Sequence, residues 1–207
     1  MGSSERRTHW ENVYSTKAEN EVSWFEETPA ASLELIQATG VRKDAAIVDI
    51  GGGASRLVDA LLHEGYSAVT VLDISEQALA TAKARLGKSS AAVQWIAADV
   101  TAWTPPTTFE VWHDRAAFHF LTEPEDRSAY VARIMKALSV NGCLIIGAFA
   151  LDGPERCSGL PVQRHDAASL AEILGQSFEF VETRPHEHLT PAGRVQRFQF
   201  SRFRRLS

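Results

Sequence analysis

The feature that most constrains this chain is a regular alternation of short apolar runs with segments of helical spacing, punctuated by glycine and proline. Ala45–Ile50 (AAIVDI) runs into Gly51-Gly52-Gly53 and reads as a buried strand. Ser55–Glu64 carries Leu57, Val58, Leu61 and Leu62 at helical spacing and stops at Gly65. Ala68–Leu72 is a second strand, Ser75–Leu86 a second helix ending at Gly87, and Val93–Ala97 a third strand. Ser75-Glu76 suits a helix start, since the hydroxyl can cap and the carboxylate favours the positive helix end. Past Pro105-Pro106, Phe109–His113 is a fourth strand. Pro124 opens a helix with Tyr130, Ile134 and Leu138 on one stripe, Asn141-Gly142 ends it, and Cys143–Phe149 is a fifth strand. Strands alternating with helices need crossover connections. The expected class is therefore α/β, a mostly parallel sheet covered by helices on both faces.

The tail breaks this rhythm. After a short helix over Asp166–Leu174, Phe178–Thr183 and Gln196–Phe203 are two strands, with Phe178 and Phe180 on one face of the first and Phe198 and Phe200 on one face of the second. No helix separates them, so they should pair antiparallel as a hairpin. A length of 207 residues suits a single domain (1–207), with residues 1–40 as a helical cap on a core of 41–207. A formal net charge of −5 gives no general attraction to nucleic acid. Arg194, Arg197, Arg202, Arg204 and Arg205 read as a solvated strand edge. The opening MGSSERRTHW has no apolar signal core, and no window approaches a membrane span, so a cytoplasmic protein with no membrane partner is expected. Cys143 reads as a packed core thiol and Cys157 as part of an exposed loop. Two isolated cysteines make neither a disulfide framework nor a zinc cluster.

Function is concentrated at the turn Asp49-Ile50-Gly51-Gly52-Gly53-Ala54-Ser55. In a doubly wound sheet, ligands sit outside the carboxyl ends of the strands, and glycines let the backbone approach them. Asp73, 22 positions beyond Gly51, ends the second strand, where a carboxylate can accept from both hydroxyls of a ribose. Asp99 ends the third strand and Asp114 follows the fourth. A dinucleotide loop wants a small residue where Arg56 stands, which argues against a nicotinamide cofactor.

The D-x-G-x-G pattern of Asp49–Gly53 resembles motif I of the class I S-adenosylmethionine-dependent methyltransferases, and Leu138–Gly142 looks like the stretch before their fifth strand. The resemblance implies a Rossmann-like sheet of seven strands in the order 3-2-1-4-5-7-6, with strand 7 antiparallel. It implies S-adenosyl-L-methionine as cofactor and S-adenosyl-L-homocysteine as product. Asp49, Gly51, Gly52 and Gly53 would lie beside the methionine part, Asp73 would hold the ribose with Ile74 against adenine, and Asp99 would meet the adenine amino group with Val100 beside it. Ser55 replaces a frequent third glycine and can cap the helix. Trp10-Glu11-Asn12-Val13-Tyr14 and Trp24-Phe25 are similar to the leader of small methyltransferases that include protein-lysine methyltransferases. In that group the leader folds over the cofactor, where the rings of Trp10 and Tyr14 would suit a sulfonium; the same rings would equally anchor an amphipathic leader on the core.

For the acceptor end, Asp114 and His119 in Trp112–Phe120 are the candidate catalytic groups, His119 as a base or as a packed histidine. Ala150–His165, rich in glycine, proline and polar residues, is the candidate binding loop. His186-Glu187-His188 lacks further ligands at matching spacing, so no metal is assigned. The expected acceptor is a small molecule or a protein side chain, and the sequence does not choose between monomer and dimer. An NAD-dependent oxidoreductase and a non-catalytic S-adenosylmethionine-binding module are the alternatives.

Overall fold

The leader forms two helices, α1 (Ser3–Thr16) and α2 (Ala30–Gln37), in a computed structural model that describes residues 2–207. The core then runs β1 (Ile47–Ile50), α3 (Leu57–His63), β2 (Val69–Asp73), α4 (Glu76–Leu86), β3 (Val93–Ala97), β4 (Phe109–Arg115), α5 (Pro124–Ala137) and β5 (Leu138–Phe149). It closes with a small ribbon of β6 (Arg156–Cys157) and β7 (Leu160–Pro161), then α6 (Ala167–Leu174), β8 (Phe178–Leu189) and β9 (Val195–Arg205). The main sheet has the order β3-β2-β1-β4-β5-β9-β8. Counting its strands alone, this is the expected 3-2-1-4-5-7-6. Strands β1 to β5 pair in parallel, while β9 runs antiparallel to both β5 and β8.

Side chains alternate across the sheet and divide the core in two. On β5, Leu144 and Ile146 join Trp112, Tyr130, Ile134 and Phe203 beneath α5 and α6. Ile145 and Phe149 face the opposite cluster with Phe198, Phe200, Leu35, Ile36 and Leu61, beneath α2 and α3. Each such side chain contributes roughly 1.5–3 kcal/mol by leaving water. Gly147 lies where a Cβ would meet the ring of Phe200 at 2.5 Å, so this glycine admits the phenylalanine.

Several boundaries differ from expectation. Helix α5 stops at Ala137, and Leu138 is extended and already paired with Phe109. Asn141-Gly142 is therefore an irregularity inside β5 and does not end the helix. From Phe109↔Leu138 to Val111↔Cys143, β4 advances two residues and β5 five, and Asn141 turns through φ 66°. The hairpin is longer than its apolar centre, continuing through Thr183–Leu189 with Pro185 tolerated on the edge strand. A bulge lies at Val181, and of the two phenylalanines before it Phe178 is buried while Phe180 is 46% exposed.

The two cysteines exchange the expected environments, Cys143 being half-buried and Cys157 buried. The terminal arginines are not a strand edge: β9 is interior, and Arg202, Arg204 and Arg197 pair with Glu182, Glu179 and Asp152. Among the described residues no helix is long and apolar enough to cross a membrane.

Candidate active site

The turn after β1 packs so tightly that its glycines are required by their neighbours. At Gly51, φ is 67° and a Cβ would lie 2.8 Å from the Cβ of Ala117. At Gly53, φ is 39° and a Cβ would lie 2.7 Å from Asp73 Oδ2. Ser55 is not the helix cap expected of it: α3 begins at Leu57 with Arg56 as its N-cap and no side-chain cap, and the Ser55 hydroxyl only accepts from Leu57 N–H (3.2 Å) one residue ahead of the cap. Arg56 turns away to Glu19 (2.6 Å) and Glu27.

Beyond the carboxyl ends of β1 to β4 lies a cleft. Seven of the expected cofactor residues line it: Trp10, Tyr14, Gly51, Asp73, Ile74, Asp99 and Val100. Asp49, with Gly51 and Gly52, lines an adjoining small cavity, and Asp49 Oδ1 lies 2.7 Å from His113 Nδ1. Asp73 accepts from Ser75 N–H (2.8 Å), and Ser75 in turn caps α4 through Ala78 N–H. Burial, then the charges of Asp49 and Glu11, push the Asp73 carboxyl up to about 7.

The leader covers this cleft through contacts that sequence spacing does not announce. Arg6 donates to Asp99 Oδ2 through Nη2 (2.9 Å) and Nε (3.2 Å), and pairs with Asp126 (2.6 Å). The carboxylate of Glu11 sits at the amino end of α4, accepting from Glu76 N–H (2.6 Å), Gln77 N–H (3.2 Å) and the Ser75 hydroxyl (3.0 Å). Trp10 packs edge-on to Phe120 (5.0 Å) and Trp24 (5.6 Å), and Trp24 Nε1 donates to the Tyr14 hydroxyl (3.2 Å). With Cys157, Phe198 and Arg115, these rings line the cleft.

Neither of the two candidate catalytic residues lines the cleft. The Asp114 carboxylate is fully buried, accepting from Ala117 N–H (2.9 Å), Phe118 N–H (3.1 Å) and the Tyr130 hydroxyl (2.6 Å). Burial is the largest influence on it and, against those hydrogen bonds, pushes its carboxyl up to about 6. His119 is also fully buried, between Phe120 and Phe149, and its Nδ1 accepts from Phe149 N–H (3.5 Å). Burial, then His165 and Arg115, push it down to about 3, so it is neutral at physiological pH.

The loop 150–165 supplies only Cys157 to the cleft wall, and burial pushes that thiol up to about 11. Arg115 reaches outward to Glu26 Oε2 (2.6 Å) and the Trp24 carbonyl. Glu26 also meets His186 (3.2 Å) and His188 (3.3 Å). Burial opposes the charge of Glu26, yet these three partners hold its carboxyl well below the usual carboxylate range.

Residues 47–142 match the family described as a methyltransferase domain. The match runs from β1 to the irregular stretch of β5, so the leader and the hairpin lie outside it. Solved structures extend the likeness in fold to almost the entire chain. One is a protein of the conversion of a disulfide bond into a thioacetal group during echinomycin biosynthesis (17% identity, TM-score 0.77, 95% of this chain and 90% of that one). Another is the 1,6-didemethyltoxoflavin-N1-methyltransferase of Burkholderia thailandensis, bound to 1,6-didemethyltoxoflavin and S-adenosylhomocysteine (21%, TM-score 0.71, 100% and 92%). A third is the N-methyltransferase NodS of Bradyrhizobium japonicum WM9 with S-adenosylhomocysteine (16%, TM-score 0.69, 95% and 98%). Comparison with curated proteins by sequence finds no match.

Proposed function

We propose that the chain is an S-adenosylmethionine-dependent methyltransferase acting on a small, largely apolar acceptor enclosed beneath the leader. The observation that carries this reading is the convergence on one cleft of Gly51, Asp73 and Asp99 with an aromatic wall. The cleft fits the cofactor's chemistry: a carboxylate for ribose hydroxyls at Asp73, apolar flanks for adenine at Ile74 and Val100, and a second carboxylate for the amino group at Asp99. The turn Gly51–Gly53, with Asp49 behind it, would hold the methionine part. Two of the structural neighbours are bound to S-adenosylhomocysteine, which agrees with this assignment.

The cofactor, when bound, supplies a methyl group on a positively charged sulfur whose departure needs no acid. The protein's task is then alignment and exclusion of water. Trp10, Tyr14, Trp24 and Phe120 form the side of the chamber on which an uncharged acceptor would lie, and their ring faces favour a cation. The Cys157 thiol stays protonated at physiological pH and does not compete as a nucleophile. Asp114 and His119 act here as positioning residues. Asp114 holds the Ala116–Phe118 turn that approaches Gly51, and neutral His119 holds Phe120 and Phe149.

Titration calorimetry tests the assignment. S-adenosylhomocysteine should bind, and Asp73→Ala should weaken it by about tenfold or more, as expected for loss of hydrogen bonds to a charged group. Binding of NADH with no response to S-adenosylhomocysteine would refute it. Transfer of labelled methyl into extract metabolites rather than extract proteins would identify the acceptor as a small molecule.

A further inference from the structure

We propose that Glu26, His186 and His188 form a binding site for one divalent transition-metal ion of the zinc type, which clamps the leader to the C-terminal hairpin. His186 and His188 stand two residues apart on one face of β8, and Glu26 comes from the segment between α1 and α2. Their three ligand atoms lie within 4.8 Å of one another. Glu26 Oε1 is 3.2 Å from His186 Nε2 and 3.3 Å from His188 Nδ1. A tetrahedral zinc ion with bonds of about 2.0–2.1 Å holds its ligand atoms about 3.3 Å apart.

The orientation of the His188 ring agrees with the assignment. Its Nε2 lies 2.7 Å from the Ser23 carbonyl, which can only accept, so the proton is on Nε2. In the neutral ring Nδ1 is then a lone pair. Nδ1 faces the Glu26 carboxylate oxygen at 3.3 Å, a contact that either a shared metal ion or a ring proton satisfies, and the test below separates the two. A backbone carbonyl on the far nitrogen is also how metal-binding imidazoles are commonly oriented. Glu26 Oε2 is occupied by Arg115, which keeps the carboxylate ionised and leaves Oε1 for the ion.

The donor set selects the ion. Two imidazole nitrogens with one carboxylate oxygen suit zinc or its neighbours, whereas calcium and magnesium prefer oxygen alone. Three protein ligands leave a fourth position, and an open groove beside Glu26 and His188, lined by Phe25, Thr28 and Pro191, gives water access to it. The ion would join segments 160 residues apart, which is why the histidine spacing alone did not reveal it. It would also fix the segment carrying Trp24, whose carbonyl receives Arg115 and whose ring walls the cleft. This site stands whether or not the chain transfers methyl groups.

The test uses the full chain without an affinity tag, stripped with a chelator, supplied with Zn²⁺ or Co²⁺ and desalted. Elemental analysis should find about one metal ion per chain, and the Co²⁺ form should show the visible absorption of a tetrahedral centre. His186→Ala, at a half-buried position on an edge strand, should lose both signals while keeping the far-ultraviolet circular dichroism of the wild type. Zn²⁺ should raise the thermal midpoint of the wild type and leave that of His186→Ala unchanged. A wild type that retains no metal, and so holds only a buried ion pair, overturns the proposal. Retention of metal by His186→Ala overturns it equally, because the ion would then lie elsewhere.

Discussion

Burial and the nearby charges of Asp49 and Glu11 push the Asp73 carboxyl up to about 7, within reach of ordinary assay conditions. Ribose hydroxyls donate best to the ionised form, so binding the nucleoside part lowers this value and releases a proton. The sign follows from linkage: affinity is weak where the free carboxyl is protonated, rises with pH through about 7, and levels off above it. Between pH 6 and pH 8, S-adenosylhomocysteine should tighten by up to about tenfold, the change in the ionised fraction over that window. Calorimetry in buffers of different ionisation enthalpy should register the released proton at pH 6. Asp73→Asn should bind weakly with no such pH dependence, and an unchanged slope in that variant would assign the titration to another group. Asp73 was legible in the sequence because its distance from the glycine turn follows from one βαβ unit. The value of its pKa was not, because Glu11 approaches from a helix 62 residues earlier.

Helix α1 is attached by a different chemistry from the other helices. Its buried residues are Arg6 and Val13, so it contributes little to either apolar cluster. What fastens it is Arg6 on Asp99 and Asp126, Glu11 on the end of α4, and the ring contacts of Trp10 and Tyr14. Arg6 and Trp10 both line the cleft, which places α1 at its wall. Arg6→Ala should therefore raise the rate at which S-adenosylhomocysteine leaves by about tenfold, a loss of about 1.4 kcal/mol from partly buried ion pairs. Stopped-flow fluorescence of Trp10 and Trp24 measures that rate, and an unaltered rate would show that α1 does not gate the cleft. Elements with strong periodicity were legible: the five parallel strands, the helices between them and the antiparallel hairpin. Their ends were less so. Leu138 continues the apolar stripe of α5 yet is a strand residue, because pairing with Phe109 outweighs local spacing. The outer half of β8 is polar and carries Pro185, so nothing in its composition marks a strand until β9 pairs with it.

At the scale of the whole molecule, the chain is a core built on apolar burial, with an amino-terminal helix joined to it largely by charge. The aromatic leader was legible in the sequence but its ion pairs were not, since Arg6 meets acids 93 and 120 residues away. Glu19 adds a further link, pairing with Arg56 and Arg85 (2.6 Å each), which stand at the start of α3 and in α4. Burial opposes the charge of Glu19 and Asp99, but their partners outweigh it, and both carboxyls titrate below their ordinary values. For a carboxylate lowered in this way, the stabilisation is present above its unfolded value and is lost as pH falls through the folded one. The unfolded values lie near 4, so these links weaken as pH falls below about 4. The two apolar clusters contain no such groups and α2 contributes Leu35 and Ile36 to them, so the core and α2 persist where α1 lets go. Acid titration should therefore show two steps. Fluorescence of Trp10 and Trp24 changes first as α1 departs, and the far-ultraviolet circular dichroism of the sheet and its helices is lost at lower pH. Added salt should move the first step to higher pH, because exposed and half-buried ion pairs are screened. A single transition, with both signals coincident at every salt concentration, would mean that the leader and core unfold as one unit and that charge alone does not hold the cleft closed.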